Sequence, residues 1–323
     1  MKAIVQRDYG PPLEVLRLED VDEPQPGERE VLVRVRAAGV NALDWHLVTG
    51  VPTIMRLAGN GFRRPKRSGV GRDVAGVVEA VGEDVTRFVP GDEVFGWCSG
   101  AFAELVCTRE DSLVAKPANV SFVQAAAVPV AAITALQGLR DHGELQPGEQ
   151  VLITGASGGV GTFAVQLAKH LGAEVTAVCS TRNLELVRSI GADQVVDYTR
   201  EDFTRSGERY DVILDIAGRP SLRGCRRSLE PGGRLVLGSG DGNRWLGPLD
   251  RMAGGMILGR VGRWKVRTFL ANETHEDTLM LAELLAAGDL SPVIDRTYEL
   301  TAAPEAVRYL EVGHTQGKVV VTV

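Results

Sequence analysis

The chain contains 323 residues, of which 44% are hydrophobic and 24% are charged. This composition is typical of globular proteins and argues against disordered, collagen-like and coiled-coil chains, and the length suggests two domains. The formal net charge of -6 and the aromatic content of 5% argue against binding to nucleic acid through phosphates or base stacking. We therefore expect no nucleic-acid partner.

The four cysteines, Cys98, Cys107, Cys179 and Cys225, include no C-x-x-C pair. Their spacing predicts neither a disulfide framework nor a cysteine-rich zinc site. The N-terminal residues lack the apolar core of a signal peptide, and no apolar run approaches the ~20 residues needed to cross a membrane. We expect a cytoplasmic protein with no membrane partner.

Roughly the first 120 residues are predicted to be mainly β-structure. Val31–Arg36 alternates apolar and polar residues, and Val74–Val81 is rich in small and β-branched residues. Pro90-Gly91-Asp92 is a turn signal before the short strand Glu93–Phe95. Short strands separated by glycine and proline turns predict a barrel-like β domain.

The pattern changes near Ser121, which is a candidate N-cap for a helix. Strands and helices alternate from Val151 onward. The predicted strands are Val151–Ile153, Val175–Val178, Val195–Val196, Asp211–Asp215 and Arg234–Leu237, with helices over Val160–Leu171 and Leu184–Ile190. This alternation predicts an α/β fold class, with a parallel sheet covered by helices on both faces.

The C-terminal third departs from this alternation. Residues 243–268 are interpreted as an extended loop or a subunit contact, and helical periodicity returns at Leu279–Leu285. The final apolar strand, Lys318–Val323, is expected to rejoin the first domain.

A glycine-rich turn, Gly155-Ala156-Ser157-Gly158-Gly159-Val160-Gly161, follows the first strand of the alternating region and opens a helix. A pyrophosphate needs this geometry, because the backbone must approach without a Cβ and free N–H groups must face the anion. We expect Ser157, Gly158, Gly159 and Val160 to bind a dinucleotide. The alternatives are an ordinary tight turn and the G-x-S-x-G nucleophile elbow of hydrolases, although no glycine-rich His motif precedes it.

The stretch after the second strand of this region, Cys179-Ser180-Thr181-Arg182-Asn183, contains hydroxyls and a guanidinium but no carboxylate. An NAD-selective fold usually places Asp or Glu here to hold the ribose 2′-hydroxyl. Ser180, Thr181 and Arg182 suit a 2′-phosphate instead, which predicts NADPH. Alternatively, Ser180 or Thr181 caps the next helix.

Several motifs together resemble the medium-chain dehydrogenase/reductase superfamily, in its zinc-free quinone oxidoreductase-like branch. They are, in chain order, Ala38–Asp44, Gly71–Val78, Val89–Gly96, Ala126–Ala131, Ile153–Gly161 and Gly317–Val320. The resemblance implies a Rossmann-type doubly wound parallel sheet plus a GroES-like, β-barrel-type catalytic domain. It places the catalytic domain at 1–122, completed by roughly 270–323, and the Rossmann domain at 123–269, and it implies a homodimer.

Zinc-dependent members of the superfamily place Cys and His-Glu at positions that resemble Asn41 and Arg72-Asp73 here. Since Asn and Arg cannot replace thiolate and imidazole as zinc ligands, we expect no metal. Without a Lewis acid the acceptor must delocalise negative charge itself, as quinones and α,β-unsaturated carbonyls do. The resemblance implies an NADPH-dependent reductase of such small molecules; the alternatives are an enoyl reductase of a biosynthetic pathway and a non-catalytic NADPH-binding protein.

The resemblance also implies roles for single residues. Asn41 corresponds to an Asn that lines the substrate side of the nicotinamide and is the first candidate to orient substrate, although it could instead tie a loop to its own backbone. His46 is the candidate proton donor, or a solvated surface His. Asp44 fits the family pattern in a structural role. Candidate cofactor contacts are Thr134 beside the nicotinamide, Tyr198 near the adenosine half, and Gly238 and Ser239 after the fifth strand.

Residues 50–70 carry several basic side chains. A solvated basic loop and a mobile lid over the substrate cleft are both compatible with this composition. The basic residues are Arg56, Arg63, Arg64, Lys66 and Arg67.

Overall fold

The computed structural model describes residues 1–53, 56, 60–238, 254–255, 264–311, 313 and 315–323. Backbone contacts divide the chain into two compact units, one formed by Met1–Ile133 with Glu273–Val323 and the other by Thr134–Asn272. The division falls later than the boundary expected at 122–123, because the helix Phe122–Ala126 packs against the strands Glu30–Val40 and Asp73–Val81 of the first unit.

Strands and helices are numbered in chain order over the described residues. The strands are β1 Lys2–Gln6, β2 Leu16–Asp20, β3 Glu30–Val40, β4 Asp73–Val81, β5 Glu93–Trp97, β6 Leu105–Arg109, β7 Leu113–Ala115, β8 Gln150–Thr154, β9 Glu174–Cys179, β10 Gln194–Asp197, β11 Tyr210–Asp215, β12 Leu229–Leu237, β13 Lys265–Thr268, β14 Ile294–Glu299 and β15 Lys318–Thr322. The α-helices are α1 Pro12–Val15, α2 Ala42–Thr49, α3 Phe122–Ala126, α4 Pro129–Gln137, α5 Gly159–His170, α6 Leu184–Ser189, α7 Leu222–Arg227, α8 His275–Ala287 and α9 Ala303–Glu311.

The first unit is built on a largely antiparallel sheet with the order β14-β15-β3-β4-β5-β7, and β6 also pairs with β3. Val33 and Val35 of β3 point into the core while Arg34 and Arg36 are exposed, which is the alternation of a half-buried strand. The C-terminal strand β15 pairs antiparallel with the end of β3, and β14 pairs parallel with β15. The first unit is therefore completed by the chain's last residues.

The second unit contains a parallel sheet with the strand order β10-β9-β8-β11-β12-β13. The order reverses between β8 and β11, which is the doubly wound arrangement that binds ligands at the carboxyl ends of these two strands. The predicted α/β fold class, with its Rossmann-type sheet, is confirmed.

One element of the second unit differs from the sequence-based expectation. The prediction of a loop over 243–268 is wrong at its end, because β13 pairs with β12 there. This strand has a weak local signal, since only Val266 among its residues is a strongly apolar β-former. Residues 243–253 and 256–263 of that segment lie outside the described residues.

Local signals explain several helix boundaries. Ser121 caps α3 as predicted, with its Oγ accepting a hydrogen bond from the Gln124 N–H. Asn41 occupies the N-cap position of α2, and Gly50 ends that helix in the left-handed region with φ of 64°. In the part of the chain that the structure describes, no helix is both long and apolar enough for a membrane span.

Candidate functional site

The glycine-rich turn connects β8 to α5 in the second unit. Gly155 has φ of 66°, which favours glycine, and a Cβ on Gly161 would lie 2.1 Å from the Gly155 carbonyl oxygen. The turn therefore brings the helix start close to the strand end. Gly158 is the N-cap of α5 and makes no side-chain capping hydrogen bond, and among the described residues no side chain accepts from the N–H groups of Gly159 and Val160. The N–H groups of Gly159 and Val160 are thus available, and the turn fits a pyrophosphate.

Ser157 lies within this turn and is only 8% exposed. Its Oγ accepts a hydrogen bond of 2.7 Å from Asn183 Nδ2, which ties the turn to the segment after β9. A nucleophilic serine needs a general base beside its hydroxyl, and the Asn183 amide is not one. This contact gives no support to the hydrolase alternative, and it leaves the Ser157 hydroxyl hydrogen able to bind a phosphate oxygen.

Thr154 and Asp215 join the ends of β8 and β11 where the strand order reverses. Thr154 Oγ1 donates to Asp215 Oδ1 at 2.6 Å and accepts from the Ile216 and Ala217 N–H groups, each at 3.1 Å. Asp215 Oδ1 also accepts from the Gly218 N–H. This network fixes the backbone at the ligand-binding edge of the sheet. Sequence reasoning missed it, although an Asp closing an apolar strand is a signal that could have found it.

An acidic residue, Asp197, lies beside the segment that is expected to bind the 2′-phosphate. Thr181 Oγ1 donates to Asp197 Oδ2 at 2.5 Å, and Thr199 Oγ1 donates to Asp197 Oδ1 at 2.7 Å. The hydrogen bond from Thr181 is the largest cause that lowers the pKa of Asp197, so the carboxylate is ionised. The stretch Cys179–Asn183 has no acid of its own, but the register that pairs Asp197 with Cys179 places one beside it.

The remaining residues of this segment are arranged as follows. Ser180 precedes a 3₁₀ turn at Thr181–Asn183 and makes no capping hydrogen bond, so neither predicted hydroxyl caps α6. Arg182 is exposed. Tyr198 is 48% exposed, and its N–H donates to the Cys179 carbonyl. These positions leave the Arg182 and Tyr198 side chains at the surface of the second unit.

Two further cofactor candidates are half-buried in the second unit. Gly238 follows β12, and its N–H donates to the Asp215 carbonyl at 3.3 Å. Thr134 lies in α4. Ser239 lies outside the described residues. All the described cofactor candidates therefore belong to the second unit, whereas Asn41 and His46 belong to the first.

A buried polar cluster in the first unit, called here the Lys318 cluster, consists of Asn41, Asp44, Asp73 and Lys318. Their exposures are 6%, 1%, 0% and 3%. The sheet register brings them together. Asp73, the first residue of β4, pairs with Gly39 near the end of β3, and the first residues of β15 pair with the same end.

The Lys318 ammonium is the positive centre of this cluster. Its Nζ donates to Asn41 Oδ1 at 2.5 Å and to the Val40 carbonyl at 3.2 Å, and it lies 3.3 Å from Asp73 Oδ2. Asn41 Nδ2 donates to Asp73 Oδ2 at 2.9 Å, and the Val130 N–H donates to Asp73 Oδ1 at 3.0 Å. Asn41 therefore contacts two side chains, and it also forms a capping box with Asp44 at the start of α2, so it ties its own loop as well. Burial raises the pKa of Asp73, and the charge of Lys318 opposes that rise.

Asp44 adds a second carboxyl to the cluster. Its Oδ2 accepts a hydrogen bond of 2.8 Å from the Asn41 backbone N–H, whereas its Oδ1 has no partner among the described residues. Burial raises the pKa of Asp44 to about 7. This carboxyl can therefore exchange a proton near neutral pH.

The residues that correspond to the zinc ligands of zinc-dependent superfamily members make other interactions in this structure. Asn41 and Asp73 surround an ammonium, and Arg72 Nη2 pairs with Glu273 Oε1 at 2.8 Å. Across the described ranges, no group of three or more His, Cys, Asp or Glu side chains is arranged to hold a metal ion.

His46 lies on α2 and is half-buried. Its Nδ1 lies 2.6 Å from the Val51 carbonyl oxygen, which can only accept, so Nδ1 carries a hydrogen. The ring also meets the Trp45 ring edge-on, with centroids 5.0 Å apart. His46 is thus held in place, and the interpretation as a freely solvated side chain is wrong.

Two of the basic residues in segment 50–70 are bound within the first unit. Arg56 donates to the Gly50 and Thr49 carbonyls and stacks over the Tyr9 ring at 4.4 Å. Arg64 pairs with Asp8 at 3.2 Å. A role as a lid stays a prediction.

Comparisons with known proteins agree with this architecture. Residues 27–118 match the family model described as an alcohol dehydrogenase GroES-like domain, and residues 190–321 match the model described as a zinc-binding dehydrogenase. A mitochondrial NAD(P)H oxidoreductase of Mus musculus is 36% identical over 329 residues, covering 91% of this chain and 82% of the relative.

Two solved structures have nearly the same backbone over their whole length. The quinone oxidoreductase from Coxiella burnetii has a TM-score of 0.85 at 31% identity, covering 100% of this chain and 99% of that chain. The CurK enoyl reductase has a TM-score of 0.84 at 26% identity, covering 99% of this chain and 98% of that chain. The superfamily and the quinone oxidoreductase-like branch identified from the sequence motifs are confirmed, whereas the absence of zinc stays a prediction.

Proposed function

We propose that this chain, which belongs to the medium-chain dehydrogenase/reductase superfamily in its quinone oxidoreductase-like branch, reduces quinones or α,β-unsaturated carbonyls with NADPH and without zinc. Membership makes it an oxidoreductase that uses a nicotinamide cofactor. The choice of NADPH, the absence of zinc from the reaction and the class of acceptor are the proposal.

The observation that carries the proposal is the Lys318 ammonium among Asn41 Oδ1, Asp73 Oδ2 and the Val40 carbonyl. Zinc in proteins takes thiolate, imidazole and carboxylate ligands in a tetrahedral set. The Lys318 ammonium is surrounded by one amide oxygen, one carboxylate oxygen and a main-chain carbonyl, so these oxygens already bind a cation. This donor set supports chemistry in which no metal polarises the acceptor.

Without a Lewis acid, the acceptor must spread the negative charge that hydride addition creates. Quinones and enones do so, because hydride delivered to a conjugated carbon yields a phenolate-like or enolate oxygen. The bound cofactor supplies the hydride. In the proposal, Asn41 stabilises the developing oxyanion with the N–H that it does not give to Asp73. His46 then supplies a proton from Nε2, since Nδ1 is held by the Val51 carbonyl.

The second unit supports the choice of NADPH. Gly158, Gly159 and Val160 would hold the pyrophosphate at the start of α5, with the Ser157 hydroxyl as a further donor. Arg182 would pair with the 2′-phosphate, since its guanidinium forms strong hydrogen bonds to phosphate. The remaining proposed contacts are Ser180, Thr181, Tyr198, Thr134, Gly238 and Ser239.

A second candidate is an enoyl reductase of a biosynthetic pathway. It is favoured by the similarity to the CurK enoyl reductase. The two candidates share every residue named above and differ only in the acceptor. The resemblance also supports a homodimer, which light scattering on the purified protein would test.

The experiment that tests the proposal is an acceptor screen under metal-free conditions. Protein freed of metal with a chelator is mixed with NADPH or NADH and a series of quinones and enones, and loss of the reduced-nicotinamide absorbance is followed. We expect turnover with NADPH that added zinc does not increase. Turnover of one biosynthetic enone alone would favour the second candidate. Binding of NADPH without any turnover would indicate a non-catalytic protein.

A further inference from the structure

We propose that Lys318 is a positioning residue, whose buried ammonium holds the Asn41 side chain in the one orientation that presents an N–H to the acceptor oxygen. The inference rests on the proposed function, because it assigns to Lys318 the task of orienting the group that stabilises the oxyanion.

The two ends of an asparagine amide have a similar shape, but the NH₂ group donates hydrogen bonds and the oxygen accepts them. Only its hydrogen-bond partners decide which way it points. Lys318 Nζ can only donate, and it lies 2.5 Å from one end of the Asn41 amide. Asp73 Oδ2 can only accept when ionised, and it lies 2.9 Å from the other end. The oxygen of Asn41 therefore faces Lys318, and the NH₂ group faces Asp73.

This orientation leaves a donor for the substrate. The Asn41 NH₂ group has two hydrogens, and Asp73 takes one. The second has no partner among the described residues. Since Asn41 is only 6% exposed, a reversed amide would turn an oxygen toward the acceptor, and two oxygens repel as negative charge develops.

Lys318 is itself held in place. Its backbone N–H donates to the Val293 carbonyl at 2.8 Å, and its Nζ also donates to the Val40 carbonyl. The two acceptors are main-chain carbonyls, one just before β14 and the other at the end of β3. The ammonium is thus fixed by two strands of one sheet, as a residue that sets another residue's geometry must be.

Lys318 also neutralises Asp73, so its removal alone would leave an unpaired buried charge and destabilise the fold. The test therefore replaces Lys318 and Asp73 together. Wild type is compared with Asn41→Ala, with the pair Asp73→Asn/Lys318→Met, and with the triple variant that combines all three changes. A second pair, Asp73→Asn/Lys318→Gln, supplies an uncharged donor to Asn41 Oδ1. The readouts are kcat, the Kd for NADPH and Tm.

We expect the Met pair to lower kcat by about tenfold or more while the Kd for NADPH stays unchanged. The loss should disappear in the triple variant, which should equal Asn41→Ala, because Lys318 acts through Asn41. The Gln pair should recover most of the lost rate. As a matched control, Lys116 is a half-buried lysine of the same unit whose side chain is 5% exposed and pairs with Glu93 at 3.0 Å. The pair Lys116→Met/Glu93→Gln should leave kcat unchanged.

Wild-type kcat in the Met pair would overturn the proposal. So would a Met pair that lowers kcat by the same factor in the wild-type and the Asn41→Ala backgrounds. Failure of both the Met and the Gln pair to fold would do the same, because Lys318 would then serve the fold. If Asn41→Ala itself keeps wild-type kcat, the role given to Asn41 in the proposed function fails, and that result is distinct from the loss of coupling.

Discussion

Thr181 donates a hydrogen bond from Oγ1 to Asp197 Oδ2 at 2.5 Å, which places an ionised carboxylate beside the segment that the sequence marks as basic and hydroxyl-rich. Arg200 Nε lies 3.5 Å from the same carboxylate oxygen, and Arg182 is exposed in the neighbouring turn. A 2′-phosphate would therefore meet charges of both signs, and their balance sets the preference between NADPH and NADH.

Replacing Asp197 with Asn should shift the preference toward NADPH. The substitution removes a negative charge near the proposed 2′-phosphate and keeps an acceptor for the Thr181 hydroxyl. At about 1 kcal/mol of relieved repulsion, the ratio of kcat/KM for NADPH over that for NADH should rise about fivefold. Steady-state kinetics with both cofactors measures this ratio, and an unchanged or lower ratio would place Asp197 away from the phosphate.

Replacing Arg182 with Ala should have the opposite effect. Loss of the guanidinium should lower kcat/KM for NADPH by about tenfold and leave that for NADH nearly unchanged. Arg205 is the matched control, because it is also an exposed arginine of the second unit. Equal losses with both cofactors would show that Arg182 does not read the 2′-phosphate.

Two glycines of the turn should respond differently to alanine. A Cβ at Gly161 would lie 2.1 Å from the Gly155 carbonyl oxygen, which is backbone and cannot yield, so Gly161→Ala should lose about 3 kcal/mol of unfolding free energy. A Cβ at Gly158 meets only one atom, at 3.4 Å, so Gly158→Ala should fold normally. It should nevertheless weaken NADPH binding, since the methyl group enters the space proposed for the pyrophosphate. Urea denaturation and NADPH titration separate the two effects.

The stability of the protein should depend on pH through Asp44. Its pKa is about 7 in the folded chain against an ordinary value of 3.8, so the folded state binds the proton more tightly between these values. The contribution of Asp44 to the free energy of unfolding is therefore fully present below about pH 4 and is lost as pH rises toward about pH 7. The slope of the unfolding free energy against pH is at most about 1.4 kcal/mol per pH unit. Asp44→Asn should flatten this slope in urea denaturation.

Asp202 provides the control for that measurement. Its pKa is lowered by a hydrogen bond from Thr204, so it titrates below this window. Asp202→Asn should leave the slope between about pH 4 and about pH 7 as in wild type. An Asp44→Asn variant with the wild-type slope would mean that another group titrates there.

His46 should be needed for protonation of the reduced acceptor. If Nε2 gives the proton, His46→Gln should lower kcat about a hundredfold. The wild-type rate should also fall as pH rises, because the donor must carry its proton, and the variant should lose this dependence. The exposed His170 of the second unit is the control, and His170→Gln should match wild type. An unchanged rate and pH profile in His46→Gln would assign the proton to another donor.

The fold was largely predictable because its signals are local. The apolar strand Val151–Ile153, the glycines of the following turn and the Ser121 cap each act within a few residues. The weak strand Lys265–Thr268 was missed, since its formation depends on pairing with β12 rather than on its own residues.

The candidate site was only partly predictable because its contacts are distant in sequence. Asn41 was identified from its motif, but its partner Lys318 is separated from it by 277 positions and is recruited by the register of β15 on β3. Asp197 was missed in the same way, because the parallel pairing of β10 with β9 brings it to Thr181. Burial, which gives Asp44 its shifted pKa, is likewise a property of the packed unit.

The most direct test of metal-free hydride transfer follows the hydride itself. Chelator-treated protein, shown to contain no zinc, is given NADPH carrying deuterium on the transferred position of nicotinamide C4 and a simple enone, and the product is examined by NMR. The account predicts deuterium on the β-carbon of the saturated ketone, at a rate that zinc does not raise. Product formation that requires zinc would contradict it. So would an allylic alcohol that carries deuterium on the carbon bearing the hydroxyl group, because the hydride would then have added to the carbonyl.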